Sequence, residues 1–221
     1  MKKITEYYKS PVKFNDSPFL RGIGEEFLIN DYFNKWFNYM INEYEVPKEK
    51  RICLFIVCSW GKPYNQSYIH YFIQKTLMEL GKKKFESIHQ IVVSNCGVVP
   101  KEFENLYPFC AYDWDPTLEW LEIKQKYEQV LFNKLNLFLA KHESKYKKLC
   151  CFLRFDSDSY QAIKRIEKDR NLKIPNFILS DDIDDVEIKE LSLNGLYEDP
   201  DIVLISKSNL LSLKNNLKAI L

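Results

Sequence analysis

The chain has 221 residues, 46% apolar and 15% aromatic, with 32 basic against 31 acidic side chains. That length and apolar content suit one sizeable domain with an extensive core and exclude global disorder. A net charge of +1 sets up no overall field of the kind that draws nucleic acid or a membrane surface, and no segment approaches the apolar length needed to span a bilayer.

Residues 1–24 mix charges with Pro11, Pro18, Gly22 and Gly24 and read as an N-terminal arm on a single domain covering 1–221. From Glu25 to Tyr44 the residues Phe27, Leu28, Tyr32, Trp36, Phe37, Met40 and Ile41 recur at helical spacing, so a long helix buried on one face is expected there. Pro47 ends it. The wholly apolar run Ile52–Val57 reads as a buried parallel strand, and a helical pattern follows on Ile69, Phe72, Ile73, Leu77 and Leu80. A second apolar run, Ile88 to Ser94, leads into Cys96-Gly97-Val98-Val99-Pro100 and a helical spacing on Phe103, Leu106 and Tyr107.

Ala111 to Pro116 is rich in turn residues. A long helix is expected from Thr117 to Lys141, then a strand from Leu149 to Phe155. Asp156-Ser157-Asp158 can cap the helix Tyr160 to Arg170. Phe177–Leu179 and Ile202–Ile205 are short strand candidates, and the last helix starts near Asn209. Strands alternating with helices argue an α/β layered domain with a mainly parallel sheet.

Six cysteines are spread without a C-x-x-C pair, which disfavours disulfides and structural zinc. Cys53, Cys150 and Cys151 lie in strand-like runs as core thiols, whereas Cys58 and Cys96 fall at strand ends. The acidic run Asp181 to Asp185 lacks the spacing of a calcium loop and reads as a solvated loop, so no metal is expected. Lys82-Lys83-Lys84 and the lysines between Lys141 and Lys148 read as solvated helix ends.

In open α/β sheets, ligands bind outside the carboxyl ends of the strands. There the chain places Cys58, Trp60, Lys62, Pro63, Tyr64, Ser67 and His70. The spacing Cys-x3-Lys-Pro-Tyr-x2-Ser-x2-His resembles the signature of the archaeosine synthase family. Gly97-Val98-Val99-Pro100-Lys101-Glu102-Phe103-Glu104, then Tyr107-Pro108 and Tyr112-Asp113, is similar to that family's second block. The sequence departs from the family's pattern at Val57, where a proline is usual. It departs again at Asn95-Cys96, where the second block often has proline and an apolar residue.

The resemblance implies a three-layer Rossmann-like α/β/α domain similar to uracil-DNA glycosylase. It also implies an ATP-independent transferase that adds the amine of free lysine to the nitrile of 7-cyano-7-deazaguanine in tRNA, and a start without a long apolar core makes the cytoplasm the expected location. The product is an amidine, which a radical-enzyme partner subunit can complete to archaeosine. Full-length members also carry a transglycosylase-like and an RNA-binding domain, for which this length leaves no room. The expectation is a catalytic core alone, with tRNA or DNA as the polymer and a tRNA-binding partner.

The residues fit that chemistry. Cys58 can attack the nitrile carbon to give a thioimidate, with Lys62 and a helix N-terminus favouring the thiolate. His70 or Asp113 can protonate nitrogen and later take a proton from the incoming ammonium. Ser67 shares a helix face with His70 and can orient it or bond substrate. Trp60 and Tyr64 can stack on the deazapurine, Glu102 can accept from its exocyclic amine, and Gly97 stands with these binding residues. Direct attack by lysine, with Cys58 only binding, is an equally open route. No cofactor is expected. Two further readings stand beside this one: a non-catalytic module that binds a modified base or nucleic acid for a partner enzyme, and a base-excision or DNA-modifying protein on the same fold.

Overall fold

The computed structural model describes residues 30–59, 61–106 and 119–221. Four strands form its sheet: β1 (Ile52–Ile56), β2 (Ile88–Ser94), β3 (Gly97–Pro100) and β4 (Lys148–Phe152), in the order β3-β2-β1-β4. β1 runs parallel to both neighbours, pairing Ile56 with Val92 on one side and with Phe152 on the other. Every residue of β1 and β2 is buried, as strands covered on both faces require. The sheet is mixed rather than wholly parallel, because β3 folds back on β2 as a hairpin and pairs Val99 with Val92.

Helices cover both faces. On one lie α1 (Asp31–Asn42), α4 (Leu121–His142) and α5 (Asp158–Arg170), with α1 and α4 packed on β3 and on each other. On the other lie α2 (Tyr68–Met78) and α7 (Lys207–Ile220), packed together and against a 3-10 turn at Pro200–Ile205. Two short helices, α3 (Lys82–Ser87) and α6 (Asp185–Leu191), complete the described chain. α1 buries Phe33, Trp36, Phe37 and Met40, and its Trp36 Nε1 donates to the Val98 carbonyl at 2.9 Å. The described part of the expected Glu25–Tyr44 helix therefore faces the hairpin.

Three expectations need correction. Ile202–Ile205 forms no strand: Asp199 accepts from the Asp201 N–H and Pro200 opens the turn, so cap chemistry outweighs a β-branched run. Phe177–Leu179 is not a strand either, and that segment's contribution is one parallel bridge between Asn176 and Cys151. The acidic stretch is not merely solvated. Within the run Asp181 to Asp185, Asp184 caps α6, and Asp181 accepts from the Phe155 N–H at 2.8 Å. None of the described helices is long and apolar enough to cross a membrane.

Candidate active site

Val57 continues β1 past its last ladder pair, and its carbonyl accepts a hydrogen bond from His70 Nε2 at 2.9 Å. The strand end is thereby tied to the first turn of α2. The next residue, Cys58, is half-buried, whereas Cys53, Cys96, Cys150 and Cys151 are buried. Among the described cysteines, Cys58 alone is not fully buried, and it lines a cavity.

The loop after Cys58 is held from below. Tyr64, in the 3-10 turn Tyr64–Gln66, is fully buried with its hydroxyl 3.4 Å from Cys58 Sγ. Burial pushes that phenol well above its ordinary range, so the hydroxyl keeps its proton and can donate to sulfur. Ser67 caps α2, accepting from the His70 N–H, and its Oγ shares a 2.5 Å hydrogen bond with Ser59 Oγ. A Cβ at Gly61 would meet Ser67 Cα at 3.1 Å, which explains a glycine where the loop crosses the helix start.

Cys58 opens into a hollow of about 490 Å³ at the carboxyl ends of β1, β2 and β4. Ser59, Lys62, Asn95, Tyr127 and Asp158 line it with Cys58, and Arg154 closes the far wall beside Asp199 and Asp201. Arg154 bridges Asp201 at 2.8 Å and Asp156 at 2.5 Å. Burial pushes the Asp201 carboxyl up to about 7 against the pull of Arg154, and burial followed by Glu119 raises Asp158. The lining of the hollow thus includes a thiol and one carboxyl, that of Asp201, able to hold a proton near neutral pH. A larger hollow of about 870 Å³ lies at the opposite ends of the strands, among Lys50, Arg51, Lys83, Lys84 and Lys147, and contains no thiol.

Of the residues singled out from sequence, Cys58 and Lys62 share the hollow, with Tyr64 and Ser67 directly behind them. Trp60 and Asp113 lie outside the described residues. The other placements correct the expected roles. Tyr64 presents its hydroxyl rather than a stacking face, because its ring is buried against His70 at 5.3 Å. His70 is 1% exposed, and its Nε2 is engaged by Val57. Burial lowers its pKa to about 4, so it stays neutral and positions the strand end instead of carrying protons at the hollow.

Gly97 sits in the β2–β3 turn at φ +109°, where a Cβ would meet Lys134 Cδ at 3.0 Å and Phe37 at 3.1 Å. Its role is to close a crowded turn. Glu102 lies at the other end of the sheet. It accepts from the Tyr44 hydroxyl at 2.5 Å and stands 3.6 Å from His89, which pairs with Cys53. Five residues of strand put that about 16 Å below Cys58.

Sequence reasoning passed over Ser59, Tyr127, Arg154 and Asp199, and it noted Asn95 only as a departure from a pattern. The signal for two of them was present. Asn95 and Arg154 both follow strands at their carboxyl ends, where the rule that located Cys58 applies equally. Among the described residues, no group of three or more His, Cys, Asp or Glu is placed to hold a metal ion.

Residues 33–194 match the family described as Domain of unknown function (DUF5591). The chain belongs to this family. It is similar to two proteins named archaeosine synthase subunit alpha. The one from Methanosarcina acetivorans is 31% identical over 121 residues, which is 50% of this chain and 18% of that protein. The one from Thermoplasma acidophilum is 27% identical over 143 residues, 64% of this chain and 26% of that protein. These similarities bear out the family resemblance carried by the Cys58–His70 spacing. The chain therefore spans about a quarter or less of the length of these relatives. The crystal structure of AF0587, a protein of unknown function, shares the fold at TM-score 0.51 and 17% identity, over 85% of this chain and 50% of that one.

Proposed function

We propose that this DUF5591 chain acts in archaeosine formation as the catalytic core that converts the nitrile of 7-cyano-7-deazaguanine in tRNA to an amidine. The observation that carries the reading is the half-buried Cys58, the accessible thiol among the described cysteines, opening into a hollow it shares with Lys62 at the carboxyl end of β1. The names of the two relatives support the pathway.

In this mechanism Cys58 Sγ adds to the nitrile carbon. A C–S bond forms, one π bond of the nitrile opens, and the nitrogen takes a proton, giving a thioimidate. Tyr64 donates to sulfur before attack and holds it on the cavity side. Asp158, which lines the hollow and whose carboxyl burial raises above its ordinary range, is the proton carrier in place of His70. An amine, with free lysine as the donor, then forms a C–N bond to the same carbon. The C–S bond breaks, and the proton lost by the ammonium returns to the thiol. The two steps balance without ATP or a cofactor. Residues beyond this core, or a partner subunit in the cytoplasm, hold the tRNA.

The test is incubation of the protein with lysine and nitrile-bearing tRNA, nitrile-bearing DNA or the free base, followed by mass spectrometry. The lysine adduct on tRNA is the expected product. Adduct on DNA alone would reassign the polymer, and no adduct on any substrate would refute transfer by this chain. Cys58→Ala is expected to abolish adduct, whereas a wild-type rate in that variant would mean direct attack by the amine.

A further inference from the structure

The hollow at the amino ends of the strands gathers positive charge that the fold leaves largely unpaired. Lys50, Arg51, Lys83, Lys84 and Lys147 line its 870 Å³, against the two carboxylates of Glu49 and Glu86. Glu86 already faces Lys82 at 4.0 Å, and Lys82 is not part of the lining. Among the described residues, none of Arg51, Lys83, Lys84 and Lys147 makes a side-chain ion pair.

The sheet register builds this cluster. Ile52 pairs with Ile88 on one side and with Lys148 on the other, so Arg51 stands between Ser87 and Lys147. The Arg51 N–H donates to the Ser87 carbonyl at 2.8 Å, and its carbonyl accepts from the Lys147 N–H at 2.8 Å. Adjacent strands lie about 4.8 Å apart, so two cations leave neighbouring strands side by side and add to one local field. Lys50 is half-buried, and its Nζ is fixed by the Ile88 carbonyl at 3.1 Å. Lys83 and Lys84 arrive from α3, the helix that leads into β2.

The hollow at Cys58 has the reverse sign. Six carboxylates, among them Asp156, Asp158 and Glu198, line it with three cations. Seven residues of extended chain separate Arg51 from Cys58, about 23 Å. A polyanion approaching the thiol therefore meets negative charge at the mouth and positive charge at the far end of the sheet. The net charge of +1 conceals this separation.

We propose that the basic hollow anchors the phosphate backbone of the RNA, apart from the thiol site. The inference rests on the reading above only for the polymer being RNA. Five cations exceed the need of one small anion, whereas a backbone offers successive phosphates, and the Arg51 fork can take two oxygens of one of them. At about 3.4 Å per nucleotide along a duplex strand, about seven steps separate the anchor from a base at Cys58. Backbone contacts of this kind position a nucleic acid without reading its sequence, so the chain binds RNA whether or not the nitrile is present.

The test is fluorescence anisotropy of a labelled, unmodified tRNA transcript titrated with the whole chain from about 50 to about 200 mM salt. Two double variants are compared with wild type: Arg51→Gln with Lys147→Gln, and Lys83→Gln with Lys84→Gln. Each should weaken binding about tenfold at the lower salt and reduce the slope of log affinity against log salt by about one to two. Lys164→Gln with Lys189→Gln removes the same charge from α5 and α6, outside the hollow, and should leave both quantities at wild-type values. Melting temperatures check that each variant is folded.

Wild-type affinity and slope in both hollow variants overturn the inference, as does an equal loss in the α5 and α6 control. Binding to phosphatidylglycerol vesicles without binding to the RNA overturns it too. Intact RNA binding with no lysine adduct refutes the transfer reading alone. Adduct on tRNA with no effect of the hollow variants refutes the anchor alone.

Discussion

Lys134 tests the energetics of the candidate site. It lies in the middle of α4, 7% exposed, with its Nζ 3.3 Å from the Asn95 carbonyl and 5.8 Å from the Phe37 ring centre. Burial lowers its pKa from 10.5 to about 8, opposed by the nearby Cys96. At pH 7 the ammonium is still charged in the folded protein, and one pKa unit corresponds to about 1.36 kcal/mol. Keeping that charge inside therefore costs about 3 kcal/mol.

The sign follows from linkage. The unfolded chain binds the proton up to pH 10.5, whereas the folded one releases it near 8, so stability rises with pH across that window. Between pH 7 and pH 10 the gain is about 2.5 kcal/mol. Lys134→Met keeps a stem of similar length against Gly97 and Phe37, removes the charge, and gives up a charged hydrogen bond worth about 2 kcal/mol. At pH 7 the variant should be more stable than wild type by about 1 kcal/mol, and that advantage should disappear by pH 10. Urea unfolding of both proteins over this range, under reducing conditions, reads the difference directly, because titrations common to both cancel. A difference that stays constant from pH 7 to pH 10 would refute the buried-charge argument.

Two further outcomes concern the loop that carries the thiol. Ser67→Ala removes the cap of α2 and leaves the buried Ser59 Oγ without its partner. It should lower the unfolding free energy by about 2 kcal/mol in urea titration, and Ser59→Ala in the same chain should recover part of that loss. His70→Gln retains a donor able to reach the Val57 carbonyl but cannot titrate. The folded-state pKa of His70 is depressed from 6.5 to about 4, so the unfolded chain takes up a proton first and wild-type stability falls as pH drops through that window. The variant should lose less stability over the same range, as measured by thermal unfolding at pH 6.5 and pH 4.5; an equal loss in both proteins would contradict the neutral, buried imidazole.

What was legible in the sequence follows from how local each cause is. The apolar run Ile52–Val57 reveals a buried strand because both of its faces must be covered, and the rule about strand ends then brings Cys58 and Lys62 to one hollow. Ser67 reads as a polar residue at a helix start, and the structure uses it as the cap. The assignments that changed depend on contacts distant in sequence. Glu102 looks adjacent to the site because its block follows the next strand. The antiparallel return of β3, which periodicity alone does not reveal, carries it instead to Tyr44 and His89.

His70 and Tyr64 look like side chains available to a ligand until the helix folds back and buries them against each other. Their hydrogen-bonding capacity is then directed inward, to Val57 and to Cys58.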